Sequence, residues 1–345
     1  MATIKDVAKK SGFSVCTVSR TLAGKGYVKE ETRKKIMEAV TELDYHPNST
    51  AVSLKTGRNH ALALILPSIT NIYYPKLAKY VERFANEQGY MVYLCNSENS
   101  LEKERKILQN IPSQNIAGVI VTPSTNEHSH IMKLREFNIP YIYLNRNFTD
   151  DKEHCIRIDN RKAAYDAVCY LIQKGHRTIG GIFQSFENMS YEERYDGMVH
   201  ALNEYGLPVN PRHFLFDTEV DDLDASVTAI TKMLEPPDRP EAIFACNDMI
   251  AFGVYKAAYG LGLRIPDDLS VFGYDDCVMA DMVAPPLSTF ATPARELSRA
   301  SISFIDRYIK TGKPMELPIL EGHLVIRESV KNKGNPPMKN IEYKA

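Results

Sequence analysis

Short apolar runs that alternate with amphipathic helical stretches constrain the fold of this chain more than any other feature of its sequence. The runs are three to six residues long, and runs that are apolar on both faces are typical of parallel strands covered by helices. They are Ala61–Leu66, Met91–Cys95, Gly118–Thr122, Tyr141–Leu144, Ile156–Ile158, Ile179–Phe183, Ala242–Cys246 and Leu269–Gly273. From residue 61 onwards the pattern predicts an α/β core of doubly wound parallel sheets.

The core is expected to contain two similar subdomains, because helical stretches such as 76–88 and 193–205 recur in both of its halves. The subdomains span about 61–160 together with 293–325, and about 162–290. The whole chain then consists of a small helical domain at 1–47, a linking segment at 48–60, the core at 61–330 and a tail at 331–345. The tail contains Gly-Asn-Pro-Pro and is predicted to be disordered.

Charge separates the first 60 residues from the rest of the chain. They carry 11 Lys and Arg against 6 Asp and Glu, whereas the other 285 carry 31 against 37. A basic module ahead of an acidic body is expected when only the first part meets phosphate groups. No apolar run approaches the roughly 18 residues that span a bilayer, and the first residues lack the apolar segment of a signal peptide, so we expect a cytoplasmic location.

The basic module has the pattern of three short helices. Val7 and Ala8 lie on the apolar face of the first, which Gly12 ends because glycine adopts a left-handed conformation without strain. Ser14 is the expected N-cap of the second, and a third helix over about 31–43 closes the small core. The tight turn between the first two predicts a helix-turn-helix.

Four short motifs follow one another in this module. They are Thr3-Ile-Lys-Asp-Val-Ala8, Thr17-Val-Ser-Arg20, Glu30-Glu-Thr-Arg33 and Tyr45-His-Pro-Asn48. Together they resemble the headpiece of the lactose-repressor (LacI/GalR) family of bacterial transcription regulators. The resemblance implies that the second helix lies in the major groove of DNA. The residues that it assigns to DNA binding are Val15, Cys16, Thr17, Ser19, Arg20, Asn48, Ala51 and Leu54.

Each of these residues suits a particular contact. Arg20 is the strongest base reader, since its guanidinium can pair with two acceptors of guanine, although a phosphate contact is the alternative. Thr17 and Ser19 carry hydroxyls suited to phosphate oxygens. Cys16 stands where the family often has a larger polar side chain, and it offers apolar contact with a thymine methyl. Val15 is ambiguous, because its spacing also fits a core residue.

Residues 48–54 resemble the family's hinge helix, which folds when paired subunits sit on DNA. Ala51 and Leu54 share one face, and Leu54 would be a wedge in the minor groove, unless the segment is an ordinary linker helix. A wedge works in pairs across a two-fold axis, so we expect a homodimer on a pseudo-palindromic operator, with tetramers left open. Lys29 and Asp44 replace the family's small cap residue and glycine, so the third helix should be less well capped.

Further motifs resemble the type I periplasmic-binding-protein fold that this family uses as its effector core. They are Arg194-x-x-Gly197, Cys246-Asn-Asp248, Gly273-Tyr-Asp-Asp276 and Ala284-Pro-Pro-Leu-Ser-Thr289. Ligands of such sheets bind at the carboxyl ends of the strands, so residues just after each strand should face a cleft between the subdomains. The residues assigned to the effector are Tyr73, Tyr74, Arg146, Asn247 and Asp275, to which the resemblance adds Arg194.

This set of side chains suits a polyhydroxylated ligand such as a sugar or a sugar derivative. Carboxylate and amide groups bind vicinal hydroxyls, while an aromatic ring covers an apolar sugar face. Structural alternatives exist: Asp275 could cap a helix, Asn247 could hold a turn, the tyrosines could only pack, and Arg194 could form a structural ion pair.

We therefore expect a dimeric DNA-binding regulator, a repressor, whose effector changes operator affinity through closure of the subdomains. An α/β enzyme is the main rival, but the sequence contains no nucleophile elbow, phosphate-binding loop, dinucleotide fingerprint or zinc-protease motif. The scattered cysteines have no metal-ligand spacing, so no metal or cofactor is predicted. A periplasmic sugar receptor would explain only the core, and a regulator controlled by a protein partner on the core surface stays open.

Overall fold

The structure is a computed structural model that describes residues 2–22, 27–45, 60–216, 223–235 and 237–334. The chain divides into two compact units, residues 1–59 and residues 60–345. No helix in the described ranges is long and apolar enough to span a bilayer.

The first unit contains three helices around a small apolar core. They are α1 (Ile4–Ser11), α2 (Val15–Leu22) and α3 (Glu30–Glu42). The core consists of Val7, Ala8, Val18, Ile36 and Ala39. Each helix therefore contributes buried side chains, as the spacing of the apolar residues predicts.

The second unit contains two six-stranded sheets. The first has the order β11-β5-β4-β3-β1-β2 and is parallel throughout. Its strands are β1 (Ala61–Leu66), β2 (Met91–Asn96), β3 (Gly118–Val121), β4 (Tyr141–Leu144), β5 (Cys155–Ile158) and β11 (Ile319–Leu320). The strand order places β2 and β11 at the two edges.

The second sheet has the order β12-β10-β9-β8-β6-β7 and is parallel except for β12, which runs antiparallel to β10. Its strands are β6 (Ile179–Ile182), β7 (Phe214–Leu215), β8 (Ala242–Ala245), β9 (Ser270–Asp275), β10 (Ser288–Ala291) and β12 (His323–Val325). The predicted doubly wound α/β fold is therefore confirmed.

Helices cover both sheets. The first sheet is packed by α4 (Tyr73–Glu87), α5 (Leu101–Asn110), α6 (Ser129–Met132) and α11 (Ala294–Thr311), and the second by α7 (Asn160–Gln173), α8 (Met189–Glu204), α9 (Leu223–Leu234) and α10 (Asp248–Gly260). Alternate side chains of strand β1 pack against the helices on opposite faces of the sheet. Leu62, Leu64 and Leu66 join the core under α4 and α11, whereas Ala63 and Ile65 join the core under α5 and α6.

The chain crosses between the two sheets three times, at the carboxyl ends of β5, β10 and β11. The crossings consist of one or two residues each: Asp159, Thr292 with Pro293, and Glu321 with Gly322. The expectation that residues 293–325 return to the first subdomain holds for α11 and β11 and fails for β12. Strand β12 pairs with β10 of the second sheet, where Leu324 packs on the apolar core.

Gly322 permits this pairing. A Cβ atom at this position would lie 2.4 Å from the Ala291 carbonyl oxygen and 2.4 Å from the Phe290 ring. Only a residue without a side chain can bring β12 this close to β10.

The start of the predicted disordered tail is held against the second sheet. The backbone N–H of Lys331 donates to the Ser270 hydroxyl at 3.0 Å, and that of Lys333 donates to the Lys174 carbonyl at 2.8 Å. The prediction of disorder is therefore wrong for residues 331–334, and its remainder at 335–345 lies outside the described residues.

Candidate functional site

The turn between α1 and α2 has the geometry of a helix-turn-helix. Gly12 ends α1 with a φ of 76°, and its N–H donates to the Ala8 carbonyl. The hydroxyl of Ser14 then caps α2 by accepting the Thr17 N–H at 3.1 Å. Both caps were expected from the sequence, and together they fix the second helix relative to the first.

The residues expected to read DNA share the outer face of α2. Val15 is 39% exposed, so it lies outside the apolar core. Cys16 and Arg20 are exposed, and the Arg20 guanidinium lies 3.7 Å from the Cys16 sulfur, one helical turn away. Thr17 and Ser19 are half-buried. The helix thus presents one guanidinium and one thiol side by side.

The amino end of α3 is capped poorly, as predicted, whereas the prediction is wrong for its carboxyl end, where the Tyr45 N–H donates to the Val40 carbonyl at 3.0 Å and the Asp44 N–H donates to the Thr41 carbonyl at 3.2 Å. Lys29 makes no side-chain capping hydrogen bond, and Asp44 takes a φ of 45° where a glycine would be unstrained. The expected hinge residues Asn48, Ala51 and Leu54 lie outside the described residues.

In the second unit, the strand ends place five of the six expected effector residues around one cavity. Tyr73 and Tyr74 open α4 after β1, Arg146 follows β4, Asp275 ends β9, and Arg194 lies on α8. The complete lining is Asn71, Tyr73, Tyr74, Asn145, Arg146, Asn188, Ser190, Tyr191, Arg194 and Asp275. Residues of both subdomains therefore form a common cleft.

The cleft is nearly closed. Its cavity has a volume of about 20 Å³, which accommodates about one water molecule. Binding sites for small organic ligands are typically roughly 300–1,000 Å³ in volume. A sugar therefore requires the two subdomains to separate before it enters.

Hydrogen bonds across the cleft hold it closed. Asn126, which follows β3, donates to the Phe186 carbonyl at 3.2 Å and accepts the Met189 N–H at 2.7 Å. Elsewhere along the cleft, the Lys76 ammonium donates to the Asp276 carbonyl at 2.7 Å. These polar bonds can exchange for bonds to water, which makes opening feasible.

Two buried polar atoms of the cleft lack a partner among the described residues. They are Asn145 Oδ1 and Arg146 Nε, whereas the Tyr73 hydroxyl has the Thr292 hydroxyl beside it. A buried polar group without a hydrogen bond costs roughly 1–3 kcal/mol. An unused acceptor and an unused donor at one cavity constitute a set that a ligand could satisfy.

Asp275 supplies a buried carboxylate to this set. Burial raises the pKa of its carboxyl group well above the ordinary value, Arg194 opposes the shift, and the Asp248 carboxylate adds to it. Asp275 has a φ of 115° and Asn145 a φ of 54°. Both therefore adopt left-handed backbone conformations that L-residues rarely occupy, a form of strain found at functional sites.

Arg194 is held by polar and aromatic contacts rather than by the ion pair that was the structural alternative. Its Nε donates to Asn160 Oδ1 at 3.0 Å, and its Nη1 donates to the Cys246 carbonyl at 2.5 Å. Its guanidinium lies over the rings of Tyr274 and Tyr191. These contacts orient the guanidinium at the cavity wall.

Asn247 does not line the cavity, although it lies two residues after the end of β8. Its Oδ1 accepts the Ile250 N–H at 2.9 Å and so caps α10, while its Nδ2 donates to Gln184 at 2.8 Å. Asn247 is therefore the N-cap of α10, which is neither the expected effector contact nor the turn residue of the alternative. Residues that the effector assignment omitted include Asn71, Asn188, Ser190 and Tyr191.

One further group of side chains has the composition of a metal site. Ligand atoms of Asp151, Glu153 and His154 lie within 4.8 Å of one another. The Asp151 carboxylate, however, accepts from the Tyr141 hydroxyl at 2.7 Å and from His154 at 2.6 Å, and also pairs with Arg135. Because its oxygens are already used, we interpret the group as an internal ion-pair network.

Comparison with known proteins gives two family matches. Residues 3–48 match the family described as "Bacterial regulatory proteins, lacI family", and residues 168–330 match the "Periplasmic binding protein-like domain". The first match covers the helix-turn-helix, and the second covers most of the second sheet with its helices.

Relatives of known name align over nearly their whole length. The ribose operon repressor of Halalkalibacterium halodurans is 34% identical over 337 residues, which cover 97% of this chain and 99% of that protein. The HTH-type transcriptional repressor PurR of Vibrio vulnificus is 32% identical over 334 residues, which cover 96% and 99%. A solved structure described as "transcriptional regulator CelR-cellobiose complex" is 26% identical with a TM-score of 0.71, over 95% of this chain and 100% of that one.

Proposed function

Because this chain belongs to the LacI family of bacterial regulatory proteins, we propose that it is a repressor that binds a pseudo-palindromic operator as a homodimer and responds to a small effector. Membership of this family makes it a DNA-binding transcriptional regulator and not an enzyme. We assign residues 1–47 to DNA binding, 48–60 to the hinge and 61–330 to effector binding and dimerisation. A regulator of this kind acts in the bacterial cytoplasm, at the nucleoid.

Helix α2 is the proposed reading element. Arg20 would donate to guanine O6 and N7, and the neighbouring Cys16 and Val15 would contact thymine methyl groups. Thr17 and Ser19 would position the helix on phosphates. The excess of basic residues in the first 60 positions supports this assignment. Asn48, Ala51 and Leu54 would act in the hinge, with Leu54 as the minor-groove wedge.

The edge strand β2 is the proposed contact between the two subunits. Met91, Tyr93 and Leu94 are 62%, 53% and 51% exposed, and β2 pairs with β1 on one side only. An exposed apolar edge invites association with another chain. We assign it to a second copy because the symmetric operator requires a two-fold partner.

The cleft is the proposed effector site, and the observation that carries this assignment is the pair of unpartnered buried polar atoms beside it. Hydroxyl groups both donate and accept, so a polyol can satisfy Asn145 Oδ1 and Arg146 Nε together. Tyr73 and Tyr74 offer ring faces, and Asp275 accepts further hydroxyls. These features favour a carbohydrate or a carbohydrate derivative, with Arg194 as a donor to its oxygens.

Effector binding would be coupled to DNA binding through the opening of the cleft. A ligand that needs the open cleft stabilises one arrangement of the subdomains over the other. Linkage then requires reciprocity: an effector that weakens operator binding must itself bind less tightly to the DNA complex. Equal effector affinities with and without operator would exclude this coupling.

Thermal denaturation of the full chain with sugars, sugar acids, sugar phosphates, amino sugars and purines tests the effector assignment. A ligand at about 100 times its Kd adds about 2.7 kcal/mol to the free energy of unfolding. The gain should disappear in Asp275→Asn and persist in Asp281→Asn, which removes an exposed carboxylate nearby. If no compound stabilises the chain, the carbohydrate assignment is wrong and control by a protein partner is favoured.

DNA selected by the full chain from a random library tests the operator assignment separately. The enriched sequences should be two-fold symmetric, since each subunit reads one half-site. Enrichment of asymmetric sequences, or none, would contradict the dimeric mode of binding.

A further inference from the structure

A second cavity lies at the amino ends of the strands of the second sheet, whereas the cleft lies at their carboxyl ends. It has a volume of about 320 Å³ and is lined by loops that precede strands, including His176 before β6, Arg239 and Glu241 before β8, and Asp268 before β9. Lys333 of the tail completes the wall. Since these strands are parallel, their amino ends lie at the edge opposite the carboxyl ends that form the cleft.

The acidic side chains of this cavity are already neutralised. The ion pairs are Glu241 with Lys333 at 2.9 Å, Asp267 with Lys331 at 3.0 Å, and Asp268 with Arg264 at 2.9 Å. Glu241 also accepts the Arg177 N–H at 2.8 Å. A ligand would therefore meet no unpaired carboxylate here.

Arg239 is a cation of the cavity wall whose guanidinium N–H groups are unused among the described residues, although its charge adds to the lowering of the Asp268 pKa that the Arg264 hydrogen bonds mainly cause. It is half-buried at the cavity wall, and it forms no hydrogen bond or ion pair with a described residue. A guanidinium presents several N–H donors in a fixed plane, which match the two oxygens of a carboxylate or a phosphate. The guanidinium group of Arg239 can therefore bind such an anion.

His176 presents an acceptor. The residue is 1% exposed, and its Nε2 lies 3.1 Å from the Lys331 carbonyl, so Nε2 carries the proton and donates it. Burial lowers the pKa of His176 to about 4, which keeps the ring neutral. Its Nδ1 is then a lone-pair acceptor, and it has no partner among the described residues.

We propose that this cavity is a second ligand site, separate from the effector cleft, for a small anion that also carries a hydroxyl group. The anionic group pairs with Arg239, and the hydroxyl donates to Nδ1 of His176. Hydroxycarboxylates and phosphorylated polyols share this chemistry. The site does not depend on the function proposed for the cleft, because no residue is common to the two linings.

Calorimetric titration of the full chain with L-malate, glycerol 3-phosphate and succinate tests the site. At least one of the first two should bind, malate alone indicating a carboxylate ligand and glycerol 3-phosphate alone a phosphate ligand. Succinate is malate without its hydroxyl, so it should bind more weakly than malate if the hydroxyl contact exists. Binding by neither malate nor glycerol 3-phosphate would overturn the proposal.

Variants locate the binding. Arg239→Gln should weaken binding of the probe by about tenfold or more, because it removes a charge-assisted hydrogen bond. Arg295→Gln removes an exposed guanidinium from α11 and should leave the affinity unchanged. Asp275→Asn changes the cleft and should also leave it unchanged. Loss of binding in Asp275→Asn with retention in Arg239→Gln would place the probe in the cleft and overturn the second site.

A spectroscopic readout keeps the test independent of folding. The Nδ1 nitrogen resonance of His176, assigned by its loss in His176→Asn, should shift when the probe donates a hydrogen bond to it. A bound probe that leaves this resonance unmoved would contradict the hydroxyl contact.

Discussion

The guanidinium carbon of Arg194 lies 3.5 Å from the centre of the Tyr274 ring. Both residues also bond to Asn160 Oδ1, each at 3.0 Å: the Tyr274 hydroxyl donates to it, and so does the Arg194 Nε. Asn160 begins α7, directly after the first crossing between the subdomains. The Arg194 side chain of the cleft is thus hydrogen-bonded to the helix that follows the first crossing between the two sheets.

Replacement of Arg194 by lysine should destabilise the core although it keeps the charge. A lysine cannot donate to Asn160 and to the Cys246 carbonyl at once, so we expect a loss of about 2 kcal/mol in the free energy of unfolding. Tyr274→Phe removes one hydroxyl and should cost about 1 kcal/mol. Urea unfolding followed by circular dichroism measures both. An Arg194→Lys core as stable as the parent would show that these bonds do not hold it.

Substitutions on α2 should distinguish the residue that supplies most of the operator affinity from the residue that adjusts the preferred base. Arg20→Ala should weaken binding to the selected operator by about 1–3 kcal/mol and relax preference at one base pair. Cys16→Ser should alter the preferred base with a smaller change in affinity, because a thiol offers little beyond apolar contact. Fluorescence anisotropy with operators changed at single base pairs measures the two effects. Unchanged affinity in Arg20→Ala would refute its role as the anchor.

The buried carboxyl group of Asp248 should make stability depend on pH. Burial raises its pKa from 3.8 to about 6, so the folded state keeps the proton longer than the unfolded state. The stability that this group contributes is complete below about pH 4 and is lost as the pH rises to about 6, a change of roughly 3 kcal/mol.

Asp248→Asn cannot ionise, and its amide can still meet the Thr289 hydroxyl and the Cys277 N–H that the carboxylate now contacts. Urea unfolding between about pH 4 and pH 6 should therefore show a shallower pH dependence in this variant, whereas Asp281→Asn should behave like the parent. An identical slope in Asp248→Asn would mean that Asp248 titrates normally.

A charge on β2 should separate the subunits. Tyr93→Glu places a carboxylate on the exposed apolar edge, and burying it against a second copy would require its desolvation, so we expect the dimer Kd to rise by about tenfold or more. Phe137→Glu alters an aromatic residue of similar exposure outside that edge and serves as the control. Sedimentation velocity gives the mass of each variant. If the Tyr93→Glu variant is still a dimer, the contact between the subunits lies on another surface.

The sequence predicted much of the cleft because one rule applies to several strands at once. Tyr73 and Arg146 come after strands and Asp275 ends one, and all three meet at the same edge of their sheets. The same rule selected Asn247, whose amide caps a helix instead. A side chain after a strand can face either a ligand or the first turn of the next helix, and the sequence does not specify which way it points.

Other features of the fold and the cavities have no recognisable pattern in the sequence. Strands β7 and β11 have two residues each, too few for a hydrophobic period, and they form because neighbouring strands offer free edges. Ser190 and Tyr191 lie in the first turn of α8, where they resemble ordinary helix residues. The lining of the second cavity is dispersed over loops before three strands, and its charged residues look like solvated surface until the fold assembles them.

The three crossings between the sheets define what kind of movement the core permits. Three short connections restrict sliding of one subdomain past the other, so a hinge rotation at the connections is the movement that they permit most easily. All three connections lie at the cleft edge, whereas the amino end of β1, which continues from residue 59, is about 20 Å away along the strand. A rotation of about 10° at the connections would then move that end by roughly 3.5 Å. A hinge rotation around a bound ligand would therefore displace the amino end of β1 by about the length of a hydrogen bond.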